Sequence, residues 1–222
     1  MTKTIAKKTI AKKNVLELFS GTHSVGKVCE DYDMNVVSVD LDNHFKPTHN
    51  VDIMDFDYKQ YPQDHFHYIH ASPPCILFSI NQISFLGRKK RHNITGEMVI
   101  WTRELLKECM DENSKIIFKC LEIIDYFNPK YYTMENPFHY NFNCLTKQPY
   151  MDGLAFEKVD YCMYDYPIKK PTCFFNNFNL KLRTCDKCHK HTIWDDFGSS
   201  KYNRYVIPEL LCREIVSQIM NN

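Results

Sequence analysis

Short apolar runs alternate with amphipathic helical stretches along most of this chain, and this alternation restricts the fold more than any other feature. The expected strands lie at residues 15–19, 35–39, 67–71, 131–134, 156–163 and 172–175, and the expected helices lie at 27–31, 97–127 and 208–219. Strands that alternate with helices predict an α/β fold built on a doubly wound, mostly parallel sheet. Ligands of such sheets bind at the carboxyl ends of the strands, so a functional site is expected there.

A glycine-containing turn follows the first expected strand, with the sequence Ser-Gly-Thr-His-Ser-Val-Gly at residues 20–26. A turn between a strand and a helix presents backbone N–H groups at the helix N-terminus, which suits a polar or anionic ligand. The second strand ends at Asp40, where a carboxylate would reach ribose hydroxyls. Asp52 follows a third extended piece. These features indicate a binding site for a nucleotide-like cofactor.

Two groups suited to catalysis follow later strands. Cys75 ends a Ser-Pro-Pro-Cys sequence just past the strand at 67–71, and Glu135 begins a Glu-Asn-Pro sequence just past the strand at 131–134. The first is a thiol nucleophile and the second is a separate carboxylate for acid–base work. A lone cysteine after a strand is usually a small core residue, and Glu-Asn-Pro alone is often only a turn. Their order behind the cofactor features favours the catalytic interpretation.

The motifs, taken in order, resemble those of the cytosine-5 DNA methyltransferases, most of all the compact versions carried by phages and large DNA viruses. Residues 16–21 resemble the first cofactor motif of that family, residues 72–79 its Pro-Cys motif and residues 135–137 its Glu-Asn motif. Residues 164–172 take the place of its later arginine-containing motif, and residues 202–208 that of its last motif. The resemblance runs from about Val15 to Val216.

The resemblance implies a Rossmann-like class I methyltransferase that transfers a methyl group from S-adenosylmethionine to C5 of a flipped-out cytosine in DNA. Cys75 would add to C6 of the base, Glu135 would supply a proton at N3, and Lys170 is the only cation that matches the later motif. The cofactor-binding residues implied are Phe19, Ser20, Gly21, His23, Ser24, Val25, Asp40, Leu41, Asp52, Ile53, Ser72, Pro73, Tyr205 and Val206.

The chain departs from the family pattern at several positions. His23 stands where glycine is usual, Ile76 stands where glutamine is usual, and residues 168–172 read Ile-Lys-Lys-Pro-Thr in place of Gln-x-Arg-x-Arg. Lysine cannot reproduce the planar fork of arginine. A short insert at 176–200 replaces a target-recognition domain, which predicts short or relaxed sequence specificity. An RNA cytosine-5 methyltransferase and a catalytically inactive cofactor-binding or DNA-binding protein remain alternatives.

The positive charges are clustered although the net charge of the 222 residues is only +1. A basic tail at 1–13 precedes the single methyltransferase domain expected at 14–222, and a second cluster follows Cys75. Such clusters suit phosphate backbones, although the tail is also consistent with a solvated segment. The expected DNA contacts are Ser79, Arg88, Lys89, Lys90 and Arg91. No apolar run would span a membrane, and no signal peptide is recognisable, so we expect a soluble intracellular protein of the cytoplasm or a host nucleus, with no obligate protein partner.

A Cys-x-x-Cys-His-x-His sequence runs from Cys185 to His191. Zinc prefers four ligands of these kinds, and Cys185, Cys188 and His191 are candidates that a distant residue such as Cys173 would complete. An exposed pair of free thiols is the alternative. Ten cysteines in an intracellular chain indicate thiols or metal ligands rather than a disulfide framework.

Overall fold

The computed structural model describes residues 12–92, 95–187 and 205–222. Most of the basic tail lies outside these ranges. So do Cys188 and His191, two of the three expected zinc ligands, and most of the expected insert.

A seven-stranded sheet forms the centre of the molecule, in the order β3-β2-β1-β4-β7-β9-β8. The strands are β1 (Asn14–Leu18), β2 (Asn35–Asp40), β3 (His49–Asn50), β4 (Tyr68–Ala71), β5 (Lys89–Arg91), β6 (Met98–Ile100), β7 (Tyr131–Pro137), β8 (Phe156–Asp160) and β9 (Pro171–Asn176). Only β9 runs against the other strands of this sheet, because it pairs antiparallel with both β7 and β8. β5 and β6 form a separate antiparallel hairpin. The mostly parallel α/β sheet that the sequence predicts is confirmed.

Helices cover both faces of the sheet. Helices α1 (Ser24–Asp31) and α3 (Glu209–Asn221) pack together on one face, and α2 (Arg103–Phe127) packs on the other. The alternation of side chains along a strand explains this division, since Val15 of β1 is buried with α1 and α3 whereas Leu16 is buried with α2. Of the helices that the described residues form, none has both the length and the apolar character needed to cross a membrane.

Several element boundaries differ from the sequence prediction. β7 continues to Pro137 rather than ending at Met134, so Glu135 lies within the strand near its carboxyl end and not just past it, and α1 begins at Ser24 rather than at Lys27. α2 begins at Arg103 rather than at residue 97, because residues 98–100 form β6 and the Thr102 hydroxyl caps the helix by accepting a hydrogen bond from the Leu105 N–H (3.1 Å). The strand expected over 156–163 stops at Asp160, and Tyr161–Tyr164 forms a 3₁₀ turn instead. This turn directs Tyr161 toward the carboxyl end of β7, where the candidate site lies.

Candidate active site

Cys75 and Glu135 come from neighbouring parallel strands. β4 pairs with β7, with Ala71 opposite Met134, so the loop that carries Cys75 and the end of β7 that carries Glu135 share one edge of the sheet. Burial, and then the negative charge of Glu135, raise the pKa of Cys75 to about 11, while the positive charge of Lys170 lowers it. The three groups expected to be catalytic therefore act on one another, and the thiol is neutral at physiological pH.

Glu135 is contacted by Tyr161, a residue that no sequence motif singled out. The Tyr161 hydroxyl donates a hydrogen bond to Glu135 Oε1 (3.1 Å), and Lys170 Nζ lies 3.9 Å from the same oxygen. Lys170 Nζ also sits 4.6 Å from the centre of the Tyr161 ring. Glu135 is only 7% exposed, so these contacts are largely protected from water. Tyr161 and Lys170 thus fix the carboxyl group between them.

A buried hydrogen-bond chain supports the start of the loop that carries Cys75. His70 Nδ1 pairs with Thr133 Oγ1 (2.8 Å), and its Nε2 pairs with Ser72 Oγ (2.9 Å). The Tyr68 hydroxyl reaches the same threonine at 2.6 Å. Burial lowers the pKa of His70 to about 3, so the ring is neutral, with one nitrogen donating and the other accepting. Ser72, expected at the cofactor site, is thereby anchored to β7, and Pro73 beside it is buried.

The segment after Glu135 holds the far side of the same loop. The Asn143 amide donates to the carbonyl oxygens of Leu77 (3.0 Å) and Ser79 (2.9 Å), and His139 Nε2 pairs with the carbonyl of Phe78 (2.9 Å). Ser79 is partly buried and caps the following 3₁₀ helix. Both sides of the loop are therefore fixed by β7 or by the residues that follow it.

At the edge of the sheet where a cofactor is expected, the glycine-containing turn is organised by Glu17. Its Oε1 accepts hydrogen bonds from the backbone N–H groups of Val25 (3.1 Å) and Gly26 (3.0 Å). The sequence interpretation offered the helix N-terminus to a ligand, and that was wrong for these two amides because a buried carboxylate occupies them. His23 Nδ1 lies 3.5 Å from Glu17 Oε2, and its Nε2 pairs with the Phe45 carbonyl (2.8 Å).

The turn forms with His23 at the position where the family usually has glycine. The residue adopts a left-handed backbone conformation (φ 57°), which costs free energy for any side chain larger than glycine. Its hydrogen bond with Glu17 raises the pKa of His23, so the ring has an increased tendency to be protonated and to pair with that carboxylate. The ring contacts offset the backbone cost.

Replacing Gly26 with alanine should lower the free energy of unfolding by about 2–4 kcal/mol. An added Cβ would lie 2.5 Å from Glu17 Oε2 and 3.2 Å from Val36 Cγ1, so the carboxylate must leave its two amides. Alanine normally stabilises a helix by about 1 kcal/mol relative to glycine. A loss of stability in Gly26→Ala would therefore point to the clash with Glu17 and not to helix propensity. Chemical denaturation of Gly26→Ala measures it beside Gly153→Ala, where φ is +85° and nothing lies within 4 Å, so that only backbone strain is added. A Gly26→Ala protein more stable than the parent would contradict the role of Glu17.

The other expected cofactor residues line the carboxyl ends of β1 to β3. Asp40 accepts hydrogen bonds from the N–H of Gly21 (2.8 Å) and of Asp42 (2.8 Å), so it closes the turn against the end of β2. Leu41 is 69% exposed beside it. The Ser20 hydroxyl is buried and has no hydrogen-bond partner within the described ranges. A nucleoside-containing ligand such as S-adenosylmethionine would fit these groups. It could form a hydrogen bond with the Ser20 hydroxyl, an apolar contact with Leu41 and a polar contact with Asp40.

The remaining expected cofactor residues divide between core and surface. Asp52 is exposed, whereas Ile53 is packed in the core behind it. Phe19 adopts a left-handed conformation (φ 57°) at the start of the turn. The last motif comes to the same place, because the Ile207 N–H donates to Ser24 Oγ (3.2 Å).

Tyr205 and Val206 directly precede Ile207 and therefore lie close to the turn. Tyr205 is exposed and Val206 is partly buried. The first and last of the motifs, which are far apart in sequence, thus lie at the same edge of the sheet.

The basic cluster after Cys75 does not present all its charges to solvent. Arg88, Lys89 and Arg91 are exposed. Lys90 instead turns inward, donates to Gln82 Oε1 (2.6 Å), and lies 4.0 Å from the centre of the Trp101 ring. Strand alternation in β5 accounts for the difference. Three of the four cations are therefore exposed, whereas Lys90 packs against Gln82 and Trp101.

The expected zinc site has no support among the described residues, in which no three His, Cys, Asp or Glu side chains are placed to hold a metal. Cys185 is buried, and its N–H donates to Asp160 Oδ2 (2.8 Å). Burial and a hydrogen bond with Cys185 raise the pKa of Cys162 to about 12. Cys173 donates to the Asn136 carbonyl (3.2 Å) within the sheet.

Comparison with known proteins adds independent findings. No family model matches the chain. A methyltransferase of Entamoeba histolytica shares its fold with a TM-score of 0.50 at 15% identity, over 86% of this chain and 61% of the other. A putative DNA modification methyltransferase encoded within an Escherichia coli prophage gives a TM-score of 0.48 at 16% identity, over 74% and 46%. The chain thus spans between about half and three-fifths of the length of these two solved structures.

A curated viral protein is more similar in sequence. The chain is 34% identical over 162 residues to the probable DNA (cytosine-5)-methyltransferase of Frog virus 3 (isolate Goorha), and the match covers 71% of this chain and 67% of the relative. Identity at this level over two thirds of the relative, together with a methyltransferase-like sheet, leads to one assignment: the chain belongs to the cytosine-5 DNA methyltransferase family.

Proposed function

We propose that this protein transfers a methyl group from S-adenosylmethionine to C5 of a flipped-out cytosine in DNA. The observation that carries the proposal is the meeting of Cys75, Glu135 and Lys170 at the carboxyl ends of β4 and β7, where each charge alters the pKa of the thiol. The family relationship supports the same reaction, since the Frog virus 3 relative is named for it.

The cofactor would lie at the carboxyl ends of β1 and β2. Leu41 would contact its adenine, Asp40 its ribose, and the Ser20 hydroxyl would gain a hydrogen-bond partner. When bound, S-adenosylmethionine supplies an electrophilic methyl group on a sulfonium. The exposed side chains of Asp52 and Tyr205 would complete the site at its rim.

Cys75 makes the base reactive. Cytosine C5 is a weak nucleophile, but a bond from Cys75 Sγ to C6 converts C5 into an enamine carbon. As that bond forms, the proton that leaves the thiol passes by way of the Glu135 carboxylate to N3, which prevents negative charge from accumulating on the ring. After C5 takes the methyl group, loss of the C5 proton to solvent breaks the Sγ–C6 bond and releases the thiolate, and N3 returns its proton to Glu135.

The site imposes two requirements on the substrate. A base inside a stacked duplex cannot reach Cys75, so the target must rotate out of the helix. The thiol is also neutral in the absence of substrate, because its pKa is about 11, so its proton must leave as the base binds. Bound DNA would bring C6 to the sulfur.

Mass spectrometry of nucleosides tests the reaction and the choice of polymer together. DNA and RNA are incubated separately with the protein and S-adenosylmethionine, digested, and examined for 5-methylcytosine and 5-methylcytidine. We expect 5-methylcytosine in DNA alone. Product only in RNA would establish the RNA enzyme, and cofactor binding without product in either polymer would establish a binding protein.

We also propose that Arg88, Lys89 and Arg91 contact the DNA backbone while Lys90 does not. Lys89→Met should weaken DNA binding and reduce the slope of log affinity against log salt by about 1, because one phosphate contact is lost. Lys90→Met removes the same charge from the same strand but should leave the salt slope unchanged, since Lys90 is engaged by Gln82 and Trp101. Fluorescence anisotropy over a salt series measures both. Equal slopes for the two variants would contradict this assignment.

A further inference from the structure

We propose that Tyr161 is a positioning residue for Glu135, one that directs the acidic proton of the carboxyl group toward the cytosine. The inference rests on the proposed methyl transfer and extends it to a residue outside the family motifs that the sequence displays. It also accounts for how the site orders its acid although residues 168–172 lack both arginines of the later motif.

The Tyr161 hydroxyl acts toward Glu135 as a hydrogen-bond donor. The side chain is 0% exposed, and burial, followed by the negative charge of Glu135, raises the pKa of Tyr161 well above its usual value, although a hydrogen bond with Thr172 acts in the lowering direction. The hydroxyl therefore keeps its hydrogen and acts as a donor to Oε1 at 3.1 Å. A buried donor left without an acceptor would cost free energy, so the pair favours one orientation of the carboxyl group.

The two oxygens of Glu135 consequently differ. Oε1 is approached by the Tyr161 hydroxyl and by Lys170 Nζ. Across residues 12–92, 95–187 and 205–222, no hydrogen bond reaches Oε2. An oxygen that already accepts from a donor and lies near a cation is the poorer place for a proton. The proton that N3 must receive is therefore carried on Oε2.

Tyr161 is itself held firmly. Its backbone N–H donates to the Lys170 carbonyl (3.3 Å), its ring lies beneath Lys170 Nζ, and the edge of that ring meets Tyr166 at a centroid distance of 5.6 Å and an interplanar angle of 89°. These contacts come from the pairing of β8 with β9, which sets Asp160 opposite Pro171. A firmly held donor can orient a carboxyl group without contacting the substrate.

The test uses Tyr161→Phe, with Tyr164→Phe as the matched control. Tyr164 lies in the same 3₁₀ turn, is equally buried, and donates to a different carboxylate, Glu214, at 2.9 Å. Tyr161→Phe should reduce kcat for DNA methylation by about 10- to 100-fold and leave KM for S-adenosylmethionine within about twofold, because a hydrogen bond to the acid is lost while the cofactor site is intact. Tyr164→Phe should leave kcat within about twofold of the parent.

A double-mutant cycle separates positioning from a merely structural role. In a Glu135→Gln background the acid is already absent, so Tyr161→Phe should cause no further loss in single-turnover methyl transfer. An equal loss in both backgrounds overturns the inference, as does a Tyr161→Phe enzyme that is as fast as Tyr164→Phe. In those cases the parent still methylates DNA and the proposed function stands. A parent protein that methylates no DNA overturns the proposed function, and this inference falls with it.

Discussion

Replacing Cys75 with alanine should lower the rate of methyl transfer by at least about 10⁴-fold, because a reaction that proceeds through a covalent adduct loses its nucleophile. No other described thiol can substitute. Cys75 is the one partly exposed cysteine in the described ranges, and the remaining eight there are buried. Cys173, which pairs with the carbonyl next to Glu135, is 0% exposed. Binding of S-adenosylmethionine should be unchanged, since the residues proposed to hold it at the ends of β1 and β2 do not include Cys75.

DNA that contains 5-fluorocytosine provides the direct readout. Fluorine at C5 cannot leave as a proton does, so an enzyme that has methylated C5 stays attached to the base through Cys75. The parent protein should give an adduct that survives denaturing electrophoresis, and Cys75→Ala should give none. Cys120→Ala, which removes a buried thiol within α2, is the matched control and should still form the adduct. An adduct that persists in Cys75→Ala would show that another residue attacks the base.

Periodicity and motif order were sufficient to predict the sheet and to place Cys75 and Glu135, the two residues proposed to be catalytic, at one edge of it. Cys75 follows β4 and Glu135 lies near the carboxyl end of β7, and parallel strands bring their carboxyl ends to one edge. No long-range contact had to be known for this prediction. The same reasoning placed Asp40 correctly at the end of the strand beside the glycine-containing turn, and its role toward a cofactor stays a prediction.

The contacts that the sequence did not reveal are those that depend on the path of the chain between elements. Tyr161 reaches Glu135 only because β8 ends at Asp160 and the chain then turns, whereas a strand continued over 156–163 was expected. Lys90 is one of four adjacent cations, and only strand alternation in the hairpin and the position of Trp101 distinguish it.

Glu17 illustrates the same limit. It lies within an apolar run whose pattern indicates a strand, but nothing in that pattern shows that its carboxylate takes the first amides of α1. Because the turn was the only feature visible in the sequence, the N–H groups of Val25 and Gly26 were expected to bind a ligand. Burial of a charged residue becomes visible only when the tertiary partners are known.

Glu135→Gln should change two measurable properties in opposite directions. Methyl transfer should fall by about 10²- to 10⁴-fold, because glutamine has nearly the same shape but no acidic proton for N3. Alkylation of Cys75 by iodoacetamide should become faster at the same time. Glu135 raises the pKa of Cys75, so removal of its negative charge lowers that pKa. At pH 8, below the parent value of about 11, each unit by which the pKa falls gives roughly tenfold more thiolate.

Lys170→Met is the matched control, because it removes a positive charge near Cys75 where Glu135→Gln removes a negative one. Lys170 lowers the pKa of Cys75, so its removal should raise that pKa and slow alkylation relative to the parent. Peptide mass spectrometry at pH 8 follows Cys75 separately from the other cysteines. Because a general loosening of the site would accelerate labelling in both variants, opposite changes report charge alone. Alkylation that slows in Glu135→Gln, or accelerates in Lys170→Met, would show that these groups do not control the thiol, and the catalytic arrangement proposed for the ends of β4 and β7 would have to be abandoned.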